Sequence, residues 1–227
     1  MTKLYIAKTD SILDDSGRLM NREWEKAREV LPSYRIERIM RFAKDGDKAR
    51  GILAGLLLQY GYRDYTGHVT AELPEVSYGV HEKPFFVGKE NVQFNLSHSG
   101  NYVVCAFSEY PIGVDVQEIK PLKEHFIKRV YSEEEQAYVR SQPASVQNDA
   151  YMRLYAFKEA LVKYTGEGMS RHFAELYVLP FLQQGTANAE GKCLYGQEIT
   201  ELTGYAFAIV GEDAVLAECA LQKNFLE

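Results

Sequence analysis

No long apolar run interrupts the sequence. The longest, residues 52–58, falls far short of the roughly 20 residues that cross a bilayer, so a membrane helix is not expected. Cysteine is scarce: Cys105, Cys193 and Cys219 are odd in number and lack metal-type spacing, which argues against a disulfide framework and a zinc site. Cys105 and Cys219 lie in apolar stretches, YVVCAF and LAECAL, where a reduced thiol packs as a small hydrophobe. The opening stretch MTKLYIAKTD lacks the apolar core of a secretory signal. The location expected from these features is the cytoplasm. Excess positive charge is missing as well. With 26 Lys and Arg against 32 Asp and Glu the chain carries −6, so no nucleic-acid partner is expected and an anionic ligand would need a local basic patch. Low-complexity segments and Pro/Ser linkers are also absent, so any subdomains should pack tightly together.

What is present suits a self-sufficient core. Hydrophobic residues make up 46% and charged residues 26% of 227, and a chain of that length buries roughly 70% of the surface it exposes when unfolded. Alternation predicts a strand at residues 4–8. Helical spacing follows, with Ile36, Ile39, Met40 and Ala43 on one face, then a second helix carrying Ala49, Ile52, Leu53, Leu56 and Tyr60 and stopping at Gly61. Residues 64–93 are rich in turn formers, and strands are expected at 92–96, 102–108 and 112–117. The second half repeats this rhythm. Helices are expected at 122–130 and after Ser132, where Ser132-x-x-Glu135 has the form of a capping box. A longer helix carries Ala150, Leu154, Phe157, Leu161 and Tyr164 on one stripe and ends at Gly166. The tail reads as a hairpin turning at Gly211-Glu212-Asp213. The order implies an α+β fold of two similar subdomains, residues 1–112 and 113–227, acting as a monomer.

Several residues could carry chemistry. Asp115 and Gln117 are two apart on a strand and share a face, opposite Val114 and Val116. A carboxylate in an apolar strand must be paired or bind a cation, although a strand-end turn would also accommodate it. Glu159 and Lys163 are four apart on the long helix, a spacing equally suited to an exposed ion pair. Lys158 and Glu135 have ordinary explanations, the latter as partner of Ser132. Ser97-His98-Ser99-Gly100 offers hydroxyls and exposed amides fit to hold a phosphate. A plain turn is the alternative, and a serine hydrolase a third reading, though the Gly-x-Ser-x-Gly elbow is missing. Basic residues gather at Arg35, Arg38, Arg41, Lys44, Lys48 and Arg50, against Glu37, Asp45 and Asp47. They form either a solvated surface or a patch for a ligand with several phosphates.

Taken in order, Asn95-Leu96-Ser97-His98-Ser99-Gly100, Gly113-Val114-Asp115-Val116, Ser132-x-x-Glu135 and Lys158-Glu159-Ala160-x-x-Lys163 resemble the Sfp-type 4′-phosphopantetheinyl transferases. Lys83-Pro84 and the basic segment extend the likeness over about residues 30–170. The resemblance implies two similar α+β halves, related by a pseudo-twofold, with coenzyme A between them. It also implies Mg²⁺-dependent transfer of phosphopantetheine from coenzyme A to a serine of an apo acyl, peptidyl or aryl carrier protein, releasing adenosine 3′,5′-bisphosphate. By position, Asp115, Gln117 and Glu159 would hold Mg²⁺. Arg35, Arg38 and His98, with Ser97 nearby, would meet the 3′-phosphate. Arg50, Lys83 and Lys158 would serve the nucleotide, Lys163 the pyrophosphate, and Glu135 the edge of the metal site. Glu159 would take the serine proton, and Lys163 would stabilise the leaving group.

Two positions depart from the family pattern. Many members have glutamate where this chain has Gln117, and the lost charge predicts weaker Mg²⁺ binding. Tyr155 stands where tryptophan is frequent, which predicts a packing change with the chemistry retained. The competing reading is a non-catalytic coenzyme A- or nucleotide-binding protein of the same fold. Gln117 favours it, and the joint presence of Asp115, Glu159 and Lys163 opposes it.

Overall fold

The computed structural model describes residues 2–68, 70, 72–168, 172–213 and 218–221. The first half contains β1 (Lys3–Lys8), α1 (Asn21–Val30), α2 (Ser33–Met40), α3 (Asp45–Thr66), β2 (Val76–Tyr78), β3 (Pro84–Phe86), β4 (Gln93–Ser99) and β5 (Tyr102–Ser108). The second contains β6 (Ile112–Glu118), α4 (Glu124–Val130), α5 (Glu133–Arg140), α6 (Ala144–Thr165), α7 (Leu179–Gln184), β7 (Thr186–Ala189), β8 (Lys192–Glu198), β9 (Tyr205–Gly211) and β10 (Glu218–Leu221). One sheet has the order β10-β1-β5-β4 and the other β6-β9-β8-β7, with β2 and β3 a separate hairpin. This is the α+β arrangement of two similar halves that the sequence implied.

Period-2 alternation explains how the halves join. On β1, Tyr5 and Ala7 enter the core under α3, while Leu4 and Ile6 enter a third cluster between the sheets. On β9, Ala206, Ala208 and Val210 pack under α6, and Phe207 and Ile209 join that same shared cluster. Each sheet therefore lends one face to its own long helix and the other to a common core, which welds the halves into one body. The long helices are buried on several sides: Ile52, Leu53, Leu57 and Leu58 of α3 and Leu154, Phe157, Ala160 and Leu161 of α6 are all enclosed. Each helix ends at a glycine in the left-handed region, Gly67 or Gly166.

The structure alters several expectations. α3 runs through Gly61 rather than stopping there, and glycine is required at that position because a Cβ would lie 2.4 Å from Phe107 Cε2. The glycine lets the helix lie close on β5. α2 ends at Met40, which is 61% exposed, so Ala43 does not extend its buried stripe. The expected hairpin at 205–221 does not form: β9 pairs with β6 and β8, whereas β10 crosses to pair in parallel with β1. Within the turn-rich region lies the β2–β3 hairpin, and α1, α7, β7 and β8 were not foreseen. The capping box is present, with Ser132 Oγ accepting from the Glu135 amide and Glu135 Oε2 from the Ser132 amide. Among the described residues no helix is long and apolar enough to cross a membrane.

Candidate active site

β6 and α6 build the centre of the site. Val114 and Val116 face the shared core, which turns Gly113, Asp115 and Gln117 towards α6. A Cβ on Gly113 would sit 1.9 Å from the Ala160 carbonyl oxygen and 2.5 Å from the Tyr164 nitrogen. Only glycine permits that approach, and it brings one turn of α6, Glu159 to Lys163, against Asp115. Asp115 is 1% exposed. Its Oδ1 accepts from Lys163 Nζ at 2.6 Å and from Ser97 Oγ at 2.8 Å, and its Oδ2 accepts from Gln117 Nε2 at 2.8 Å. Lys163 Nζ also donates to Ser97 Oγ at 2.9 Å and to the Val114 carbonyl at 3.1 Å.

Glu159 accepts from the Tyr155 hydroxyl at 2.8 Å. Burial, and then the charge of Asp115, push its carboxyl above the ordinary range, while Tyr155 and Lys163 pull the other way. Two carboxylates that repel each other beside a cleft are a hard oxygen donor set. Among the described residues no group of three or more His, Cys, Asp and Glu gathers as a metal cage. Such a pair would suit Mg²⁺, which is commonly held by one or two carboxylates with waters and substrate phosphates completing the shell.

A cleft of about 270 Å³ opens above these groups, with His81, Lys83, Pro84, Asn95, Glu159 and Lys163 among its walls. Lys83 reaches across from the β2–β3 hairpin to donate to the Tyr164 carbonyl at 2.8 Å, and burial lowers its ammonium to about 8. On the other side of the site, Arg50 NH1 donates to the Gly100 carbonyl at 2.8 Å and Arg50 pairs with Asp47. His98 lies at the surface here. Desolvation by the surrounding groups, then the charges of Arg50 and Lys163, hold its imidazole below the usual range. Arg35 and Arg38 lie on α2, outside the cleft lining, with the Arg35 stem laid across Gly55.

Two expected site residues sit elsewhere. Lys158 is fully buried on another face of α6, where it pairs with Glu135 at 2.8 Å and donates to the carbonyls of Phe173 and Leu176. With its protons committed and 0% exposure, it cannot meet a nucleotide. Glu135 is likewise 0% exposed and tied to Ser132, Lys158 and the Val178 amide. This pair clamps the segment after α6 onto the helix. Ser97, 6% exposed, turns its hydroxyl to Asp115 and away from the basic patch. Sequence reasoning did not find His81, which lies in a turn-rich stretch without a pattern, nor the Tyr155 hydroxyl bond to Glu159. The i, i+4 spacing of Tyr155 and Glu159 was the available signal.

Comparison with known proteins agrees with this geometry. Residues 111–210 match the family model of the 4′-phosphopantetheinyl transferase superfamily, and residues 18–110 match the model of a 4′-phosphopantetheinyl transferase N-terminal region. A 4′-phosphopantetheinyl transferase of Bacillus subtilis is 29% identical over 65% of this chain and 66% of its own length. The 4′-phosphopantetheinyl transferase Sfp of Bacillus subtilis (strain 168) is 28% identical over 67% of each. The 4′-phosphopantetheinyl transferase psf-1 of Bacillus pumilus is 41% identical over 39% of this chain and 38% of its own length. The alignments with the two Bacillus subtilis proteins thus span about two thirds of those relatives. The two models adjoin in the turn between β5 and β6 and together cover residues 18–210. The chain belongs to the 4′-phosphopantetheinyl transferase superfamily.

Proposed function

We propose that this protein transfers the 4′-phosphopantetheine group of coenzyme A to a serine of an apo carrier protein. The observation that carries the reading is the meeting of Glu159 and Lys163 on the wall of one cleft, with Asp115 buried directly behind them and bonded to Lys163. In the reaction the serine oxygen forms a bond to the β-phosphorus as the pyrophosphate P–O bond breaks, and adenosine 3′,5′-bisphosphate leaves. Glu159, a carboxylate on the cleft wall, takes the serine proton. Lys163, with 26% of its side chain exposed, sets its positive charge beside the pyrophosphate oxygens on which negative charge collects. Asp115 and Glu159, joined by Gln117 through its amide oxygen, would hold Mg²⁺, which supplies charge neutralisation on phosphate oxygens.

Arg35, Arg38 and Arg50 supply the positive edge for the nucleotide and its 3′-phosphate, His98 offers a ring N–H donor beside them, and Lys83 lines the cleft. Both halves of the site come from one chain, which supports action as a monomer. With a net charge of −6, docking of an acidic carrier would rest mainly on apolar contact. The cytoplasm is where coenzyme A and carrier would both be available. The test is intact-mass measurement of an apo carrier protein incubated with coenzyme A, Mg²⁺ and either wild type or Glu159→Ala. The expected result is one phosphopantetheine added by wild type and none by the variant. Coenzyme A binding without transfer to several unrelated carriers would favour a non-catalytic binding protein. Transfer surviving Glu159→Ala would refute its role as base.

A further inference from the structure

Ser97 is the residue whose place differs most from its expected use. Its hydroxyl has one proton and two acceptor positions, and three partners surround it. The Val116 amide donates to Oγ at 3.2 Å and Lys163 Nζ donates at 2.9 Å, so both acceptor positions are taken. The remaining partner, Asp115 Oδ1 at 2.8 Å, is itself an acceptor and must receive the hydroxyl proton. Stoichiometry alone fixes the orientation of this hydroxyl. It also defines Asp115: among the described residues Oδ1 accepts from Ser97 and Lys163, whereas Oδ2 accepts only from Gln117. Since each carboxylate oxygen offers about two acceptor positions, the open one is on Oδ2.

We propose that Ser97 is a positioning residue for the metal: its hydroxyl, pinned by the Val116 amide and Lys163, holds the Asp115 carboxylate so that Oδ2 is presented to a divalent cation. This rests on the transferase reading and gives Ser97 a place in it that does not involve the nucleotide phosphate. Partners that orient a ligating carboxylate typically change metal affinity by about 10–100-fold when removed.

The test uses Mn²⁺ as the probe, titrated into full-length protein with coenzyme A and followed by electron paramagnetic resonance of the free ion. Coenzyme A binding is measured separately in EDTA. Ser97→Ala is expected to weaken Mn²⁺ binding about 10–100-fold while leaving coenzyme A binding in EDTA within about twofold. Ser97→Thr, which restores the hydroxyl, should recover the Mn²⁺ affinity, as a purely volumetric role would not require. Should Ser97→Ala fail to fold, Ser97→Cys provides the same readout with a thiol that donates poorly. Unchanged Mn²⁺ affinity in a folded Ala or Cys variant overturns the proposal. So does an equal loss of coenzyme A binding in EDTA, which would put the hydroxyl on a phosphate. Failure of the underlying reading looks different: wild type would then transfer nothing with Mn²⁺ and carrier present.

Discussion

Gly113→Ala should damage both stability and catalysis, for one geometric reason. The new methyl would stand 1.9 Å from the Ala160 carbonyl oxygen and 2.5 Å from the Tyr164 nitrogen. Both are backbone atoms of α6, so no side chain can rotate aside. Ordinary contact begins near 3.4 Å, which requires the helix and strand to part by about 1.5 Å. Overpacking costs about 1–3 kcal/mol where neighbours can adjust, and two backbones held in one core place this case at about 3 kcal/mol or more. For a chain of this size that corresponds to a fall in Tm of roughly 6–12 °C. The same displacement carries Glu159 and Lys163 away from Asp115, and a misplacement near 1 Å costs about 100-fold in rate. Urea denaturation gives the first quantity. Intact-mass transfer assays, run well below the variant's melting temperature, give the second. A variant within about 1 kcal/mol of wild type at full rate would refute the close approach of α6. Lost stability with full rate would show that the approach does not set the site.

Three further outcomes follow from the same geometry. Lys158→Met should cost about 3–5 kcal/mol in urea denaturation, because it leaves the Glu135 charge buried without its cation; a folded variant with a raised KM for coenzyme A would instead return Lys158 to the nucleotide. Lys83 should make stability depend on alkaline pH. The folded chain releases this proton near 8 while the unfolded chain keeps it to about 10.5, so unfolding takes up a proton between these values and stability rises with pH across the window. Thermal melts of Lys83→Met should lack that rise, and an identical slope would count against it. Gln117→Glu exchanges the amide that donates to Asp115 for a further carboxylate; Mg²⁺ titration by calorimetry should show about tenfold tighter binding, and equal or weaker binding would show that the charge is not felt at the metal.

How much of this was legible in the sequence depended on whether the signal was local. The stripe of Ala150, Leu154, Phe157, Leu161 and Tyr164 falls on α6 with its glycine stop, and β5 spans the residues expected of it. Ser132 and Glu135 form their capping box because every atom it needs lies within four residues. Errors came from tertiary demands. Gly61 looked like a terminator but is a contact point with Phe107. The tail looked like a hairpin but sends β10 to another sheet, a pairing with β1 that no local turn rule could forecast. Lys158 and Lys163 stand five apart on one helix, and only three-dimensional placement shows that Lys163 reaches the cleft while Lys158 is sealed against Glu135.

The seam between the sheets shows why the site's support was hardest to see. β4 and β6 are both edge strands, and an edge strand leaves a row of unpaired amides that must find partners when buried. Here side chains supply them: Asn95 Oδ1, Ser97 Oγ and Ser99 Oγ accept from the amides of Val114, Val116 and Glu118. In the sequence, polar residues at every second position read as the solvent face of a strand. In the fold, that same alternation replaces a ladder of backbone bonds. A ladder would set the strands about 4.8 Å apart and admit no side chain between them. The side-chain seam instead leaves the Ser97 hydroxyl beside Asp115, with Lys163 closing over both. The device that joins the two halves therefore also orients the carboxylate on which the proposed metal site depends.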